Sequence, residues 1–294
     1  MLDRIARNSN RTRRAIVGLL LTGSLGVQCH QLSHRAPQQS DPISVERVYA
    51  AAVVTGVINE NEELARSDPL AFLHRCRQDY LRNYHDYACT FTKQERIGSK
   101  ISPEQETLVK YREDPYSVNM RFVRNRGDAA HVLYIAGRWQ DEQGRDQAWC
   151  EPAGAIARLF VKKILQPIRG KRAGKASRRT IDQFGFRNTL DLIIKYSERA
   201  AAAGVLDLRY VGLGTVDGRP TYVFERRLPY TGREELYPDR LLVFHIDRQW
   251  LLPTACYSYA DDIGDELLGK YLLTDVSFNQ GFTDADFAPE LLGT

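Results

Sequence analysis

GKYLLTDVSFNQGFTDADFAP, residues 269–289, is the stretch on which the fold turns. Leu272, Val276 and Phe278 fall at even spacing with Thr274 between them, the pattern of a strand with one buried face. Asn279-Gln280-Gly281 then ends the strand. The segment Thr283-Asp284-Ala285-Asp286-Phe287 turns and returns a single aromatic to the body of the protein. A long final strand closed by an aromatic latch predicts a large antiparallel sheet.

Working outward, the same period of two recurs. Tyr87, Cys89 and Phe91 point one way, and Ala88, Thr90 and Thr92 the other. Strands follow at Glu104–Arg112, Pro115–Arg124 and His131–Gly137, and again at Val205–Leu213, Thr221–Leu228, Arg240–Asp247, Thr254–Ala260 and Leu267–Phe278. Gly98-Ser99, Asp114-Pro115, Gly127-Asp128 and Asp217-Gly218 supply turns, as does the Asp261–Asp265 stretch. Helical spacing marks Ser44–Arg66, a segment beginning at Asp68-Pro69 (Leu73, Cys76, Tyr80, Tyr84), Gly154–Leu165 and Asn188–Ala203. About nine or more strands, adjacent in sequence, predict an α+β fold: a curved antiparallel sheet with helices across its concave face.

The chain of 294 residues is 43% hydrophobic and 27% charged, which suits one large folded domain over residues 44–294. Its net charge of +4 is too small and too local for a general nucleic-acid binder. Arg4, Arg7, Arg11, Arg13 and Arg14 hold part of it. Another part lies in Lys162–Arg179, which carries eight Lys or Arg and no acid. That stretch reads as a solvated loop with a possible second role, docking on an anionic membrane surface.

The 13-residue apolar run Ala15–Val27 is short for a spanning helix and right for the core of a signal peptide. Residues 1–28 therefore read as an export segment and 29–43 as a linker, with the periplasm or cell envelope as destination. Cys29 leaves a lipid-anchored form open, against which Gln28 argues. In an oxidising compartment Cys76, Cys89, Cys150 and Cys256 allow two disulfides, and Cys76 with Cys89 is the easiest pair; buried free thiols are the alternative.

Tyr87–Gly98 (YACTFTKQERIG), Arg112–Arg121 (REDPYSVNMR) and Lys270–Phe287 resemble the exported family known as domain of unknown function 1571. Leu133–Gly137 (LYIAG) and Leu251-Leu252-Pro253 also suit it. That family is itself similar to LolA- and LolB-type lipoprotein carriers. The chain departs from it at Ala288-Pro289-Glu290 and in the strongly basic Lys162–Arg179. The resemblance implies an unclosed half barrel with an apolar cavity under its helices. It implies carriage of a lipid, lipoprotein acyl chain or other hydrophobic ligand, without catalysis.

Residue chemistry agrees in giving no catalytic residue, no metal and no cofactor. G-x-S-x-G, H-E-x-x-H, P-loop and dinucleotide motifs are missing from the sequence. His245 and Asp247 share a strand face, but no nucleophile accompanies them. His85 and Cys89 fall short of a zinc ligand set, and Asp261–Glu266 lacks the spacing of a calcium loop. Lys93, Glu95 and Arg96 read as ion-pairing groups on a solvated face. The expected cavity wall is Phe91, Met120, Phe122, Tyr222, Phe224 and Phe278. The competing function is a structural or interaction module of the cell envelope with no small ligand.

Overall fold

Asp68 starts the first long helix as its sequence predicts: its carboxylate accepts a hydrogen bond from the Ala71 amide at 2.9 Å, and Pro69 occupies the first helical position. The computed structural model describes residues 60–233 and 236–293. The expected export segment and linker, Cys29 and most of the helix expected over 44–66 lie outside the described residues. The end of that helix is α1 (Glu60–Ser67), and α2 (Pro69–Asn83) follows it.

The strands are β1 (Asp86–Ile97), β2 (Lys100–Ile101), β3 (Gln105–Arg112), β4 (Ser117–Arg124), β5 (Ala129–Ile135) and β6 (Gln147–Pro152). After α3 (Ala155–Phe160) come β7 (Ile164–Pro167), α4 (Lys171–Ala176) and α5 (Phe186–Ala202). The chain ends with β8 (Asp207–Val216), β9 (Arg219–Arg227), β10 (Leu241–Asp247), β11 (Pro253–Tyr259) and β12 (Leu267–Phe278). All twelve strands form one antiparallel sheet of order β7-β6-β5-β4-β3-β1-β12-β11-β10-β9-β8, with β2 paired to β1. β7 and β8 are its two edges, so the barrel is unclosed.

Helices α2 and α5 pack against each other and against one face of this sheet. Phe72, Leu73, Cys76 and Tyr80 from α2 meet Phe186, Leu190, Ile193 and Ile194 from α5 and the inward side chains of β1, β3, β9 and β10. Ala203 and Gly204 end α5, with Gly204 at φ +70°, a conformation that suits glycine. Asp217 and Gly218, at φ +51° and +72°, make the two-residue β8–β9 hairpin that the sequence predicts. Asp261 organises the β11–β12 turn, accepting from the amides of Ile263 at 2.8 Å and Gly264 at 2.6 Å.

Two sequence readings are corrected, and a third, left open between two states, is resolved. The helix expected over Gly154–Leu165 is only the short α3, and Ile164–Pro167 is an edge strand, where Pro167 costs no ladder hydrogen bond. The even face of β12 is broken by a bulge: Ala88 and Thr90 pair with Ser277 and Thr274, so β12 has one residue more than its partner. Asp275 takes φ +50° there. Before the bulge, Tyr271 and Leu273 face the helices while Leu272 packs on the opposite face; after it, Val276 and Phe278 face the helices. Finally, Cys76 and Cys89 are separate buried thiols rather than a disulfide. Burial pushes both thiols up, and that of Cys256 to about 12, so they stay protonated near neutrality.

The latch forms as expected. Phe287 is fully buried at the end of a short 3-10 helix (Asp284–Phe287), beneath the Arg112 guanidinium at 5.0 Å from the ring centroid. Asn119 donates to the Asp286 carbonyl at 2.7 Å and Lys110 to the Asp286 carboxylate at 2.7 Å. Truncating Phe287 to Ala should cost about 3–5 kcal/mol in urea unfolding. An unchanged midpoint would show that the latch is not part of the cooperative unit.

His245 lies on the face of β10 turned away from the helices, 4% exposed, with Nδ1 3.0 Å from the Thr221 hydroxyl. A side chain at Gly214 would press on this ring, since an added Cβ would come within 3.1 Å of His245 Cε1. Burial lowers the imidazole from 6.5 to about 4. The unfolded chain therefore gains a proton below about pH 6.5 that the fold refuses, and stability should fall from there to about pH 4, by about 3 kcal/mol. Unfolding free energies measured across that window should show a smaller slope in His245→Asn. Asp284 and Asp286, whose carboxyls are held low by arginine and lysine partners, act the same way only at more acidic pH.

Candidate functional site

The sheet face that carries α2 and α5 is filled unevenly. Over β9 and β10 it is solid: Phe72 contacts Tyr222 and Phe224, with ring centroids 5.5 Å apart in both pairs, and Phe224 stacks on Phe244 at 5.1 Å. Over β3 to β7 several inward residues are small, among them Thr107, Val132, Ala148 and Cys150, and a cavity of about 1530 Å³ remains. Its roof is the segment from α4 to the first half of α5, including Ala176, Ile181, Phe184 and Leu192.

Phe91, Met120 and Phe122 lie on the wall of this cavity. Tyr222 and Phe224 are fully buried in the aromatic stack instead. Phe278 packs against Tyr84 at 4.3 Å and Trp250 at 5.2 Å, and neither it nor that pair borders the cavity. Further wall residues, Val132, Ala148, Ile164, Leu242 and Leu273, carry no sequence signal that separates them from ordinary core.

One end of the cavity is polar. Phe91, Lys93 and Glu95 share the inward face of β1, and Glu95 is 1% exposed, so the solvated face expected for these charges is an interior one. The Glu95 carboxylate accepts from Lys93 Nζ at 2.8 Å, Ser177 Oγ at 2.9 Å and the Tyr271 hydroxyl at 2.9 Å. The Arg178 amide adds a fourth donor at 3.3 Å. Burial, then the neighbouring carboxylate, push the Tyr271 hydroxyl well above its usual range, so it stays a donor. Arg178 itself donates to Ser258 at 3.2 Å and to the Pro238 carbonyl at 3.1 Å. Near it, the buried Arg226 reaches the Ile193 carbonyl at 3.0 Å and Asp239 at 3.2 Å.

This arrangement ties the basic stretch down. Ser177 and Arg178, expected in a free loop, are pinned by Glu95, and Arg169 pairs with Asp182. The chemistry is that of an apolar container with a fixed, hydrogen-bonded end. His245 and Asp247 do not combine: the Asp247 carboxylate is bound to Arg219 at 2.6 and 3.1 Å, whereas the His245 ring meets Thr221.

Replacing Glu95 by Ala should leave Lys93 buried without its partner and cost about 3–5 kcal/mol. The same change should release the roof, seen as faster tryptic cleavage after Lys175, Arg178 and Arg179. Equal cleavage in wild type and variant would disprove the pinning.

Comparison with solved structures finds distant likenesses. A DUF1329 family protein from Desulfovibrio piger is 15% identical, with 76% of this chain and 98% of that one covered and a TM-score of 0.38. The Mycobacterium tuberculosis lipoprotein LppX is 16% identical over 74% of this chain and 99% of that one, TM-score 0.36. The Pseudomonas aeruginosa MucA/MucB complex is 19% identical over 75% of this chain, which spans 60% of that one, TM-score 0.39. No curated protein matches. A family model matches residues 84–291, from the end of α2 to the latch, and by that match the chain belongs to the family described as protein of unknown function, DUF1571.

Proposed function

We propose that the protein is a non-enzymatic, exported binder or carrier of a lipid, a lipoprotein acyl chain or another hydrophobic ligand. The observation that carries this reading is the cavity of about 1530 Å³ walled by Phe91, Met120, Phe122 and Val132. Its size exceeds the usual range of small-molecule pockets, about 300–1,000 Å³. Apolar burial would supply about 0.8 kcal/mol per methylene, enough to hold a long chain with few directional contacts. Export rests on the apolar run Ala15–Val27 behind its arginines. Among the described residues no helix is long and apolar enough to cross a membrane.

The test is ligand uptake by delipidated protein. Native mass spectrometry after incubation with membranes should show adducts of lipid mass, and a fluorescent fatty acid should bind saturably. Met120→Trp, which fills part of the cavity, should weaken that binding about tenfold, about 1.4 kcal/mol, with little change in stability. If the delipidated protein takes up neither lipid nor probe, the carrier reading fails and an envelope interaction module takes its place.

A further inference from the structure

The short helix α3 turns its apolar side chains outward. Ile156, Leu159 and Phe160 stand one helical turn apart on a single face, at 75%, 82% and 82% exposure. Val161 and Ile164 add 40% and 41%. No other stretch among the described residues gathers exposed large apolar side chains so densely. Isolated exposed apolar residues need no explanation, but a contiguous group of this kind marks an interaction site.

The chain that follows it is basic. Lys162 follows directly and is exposed, as are Arg169 and Lys175, and no acidic residue occurs between Glu151 and Asp182. Lys163 fastens the spur to the body, donating to the Pro289 carbonyl at 3.1 Å and lying 5.5 Å from the Trp149 ring centroid. Phe160, Val161 and Ile164 also line the cavity, so the spur stands where the cavity meets the surface.

We propose that the Ile156–Ile164 spur inserts into the surface of an anionic lipid bilayer, with Lys162 and Lys175 against the headgroups, and sets the cavity mouth on the membrane. Apolar side chains flanked by cations are what an interfacial site requires, burial supplying the insertion and charge the attraction. A second copy of the chain is a poor alternative occupant, because it would bring the same cations face to face. Placed in this way, an apolar ligand passes between bilayer and cavity along Phe160 and Val161 without crossing water. The route rests on the carrier reading; the docking does not.

The experiment is sedimentation of the full chain with vesicles of phosphatidylglycerol in phosphatidylcholine and of phosphatidylcholine alone. The N-terminal apolar run is common to all variants, so differences report on the spur. Leu159→Ser with Phe160→Ser should reduce partition to anionic vesicles about tenfold, as should Lys162→Gln with Lys175→Gln. Salt should weaken the wild type and leave the lysine variant less affected. Because these side chains are exposed, the urea midpoint should not move. Tryptophan at position 160 (Phe160→Trp) should shift its emission to the blue on vesicle addition. Equal partition of wild type and the serine variant, or an unshifted tryptophan, overturns the proposal. So does a wild-type dimer that the serine variant dissolves. Uptake of the fluorescent fatty acid in vesicle-free solution is scored separately, so a failure of the cavity reading is seen apart from a failure of docking.

Discussion

Every sheet neighbour in this fold but one is reached by a short step along the chain, and the exception is β1 against β12. That seam joins a meander made before residue 170 to one made after residue 205, and nothing else in the sheet connects them. Its closure brings together segments nearly 200 residues apart, a loop-closure cost that local pairing does not carry. The seam also carries a bulge at Asp275, which adds a residue to β12 and increases the local twist.

The tail beyond the seam reinforces it. Asp86, at the first position of β1, accepts hydrogen bonds from the amides of Gly281 at 2.9 Å and Phe282 at 3.1 Å. Asn279 bridges the other way, accepting from the His85 amide and donating to the Asn83 carbonyl. The end of α2, the start of β1 and the end of β12 are thus bound at one point. From there the chain crosses to β4 and β5 and lodges Phe287, so the latch ties the last strand to the half it did not come from.

Periodicity reveals the parts of this design in which alternation and burial coincide. Tyr87, Cys89 and Phe91 face the helices as their spacing predicts. Asp68-Pro69 and Asp217-Gly218 act where local chemistry alone decides the backbone. The bulge is different: Thr274-Asp275 has no signal of its own, and one inserted residue reverses every side chain beyond it. Lys93 and Glu95 continue the inward spacing of Phe91, but charge argues for solvent; their burial depends on Ser177, Arg178 and Tyr271, all distant in sequence. For the same reason Tyr222 and Phe224 read as well for cavity wall as for core. Which it is depends on Phe72, supplied by α2 from across the fold.

That last ambiguity shows what creates the void. Both halves of the sheet present one apolar face to the same helical layer, and side-chain size decides the outcome on each side. Over β9 and β10, three stacked rings, Phe72, Phe224 and Phe244, occupy the space between helix and strand. Over β5 and β6 the inward positions beside the cavity are the smaller Val132, Ala148 and Cys150. An unfilled space of that size would ordinarily collapse, since each lining atom forfeits its contacts. Here the roof cannot descend, because Glu95 holds Ser177 and Arg178 by hydrogen bonds to a strand that is itself part of the seam. The cavity is therefore a product of the β1 register: the residue that walls it, Phe91, and the residue that props it, Glu95, lie four positions apart on one strand.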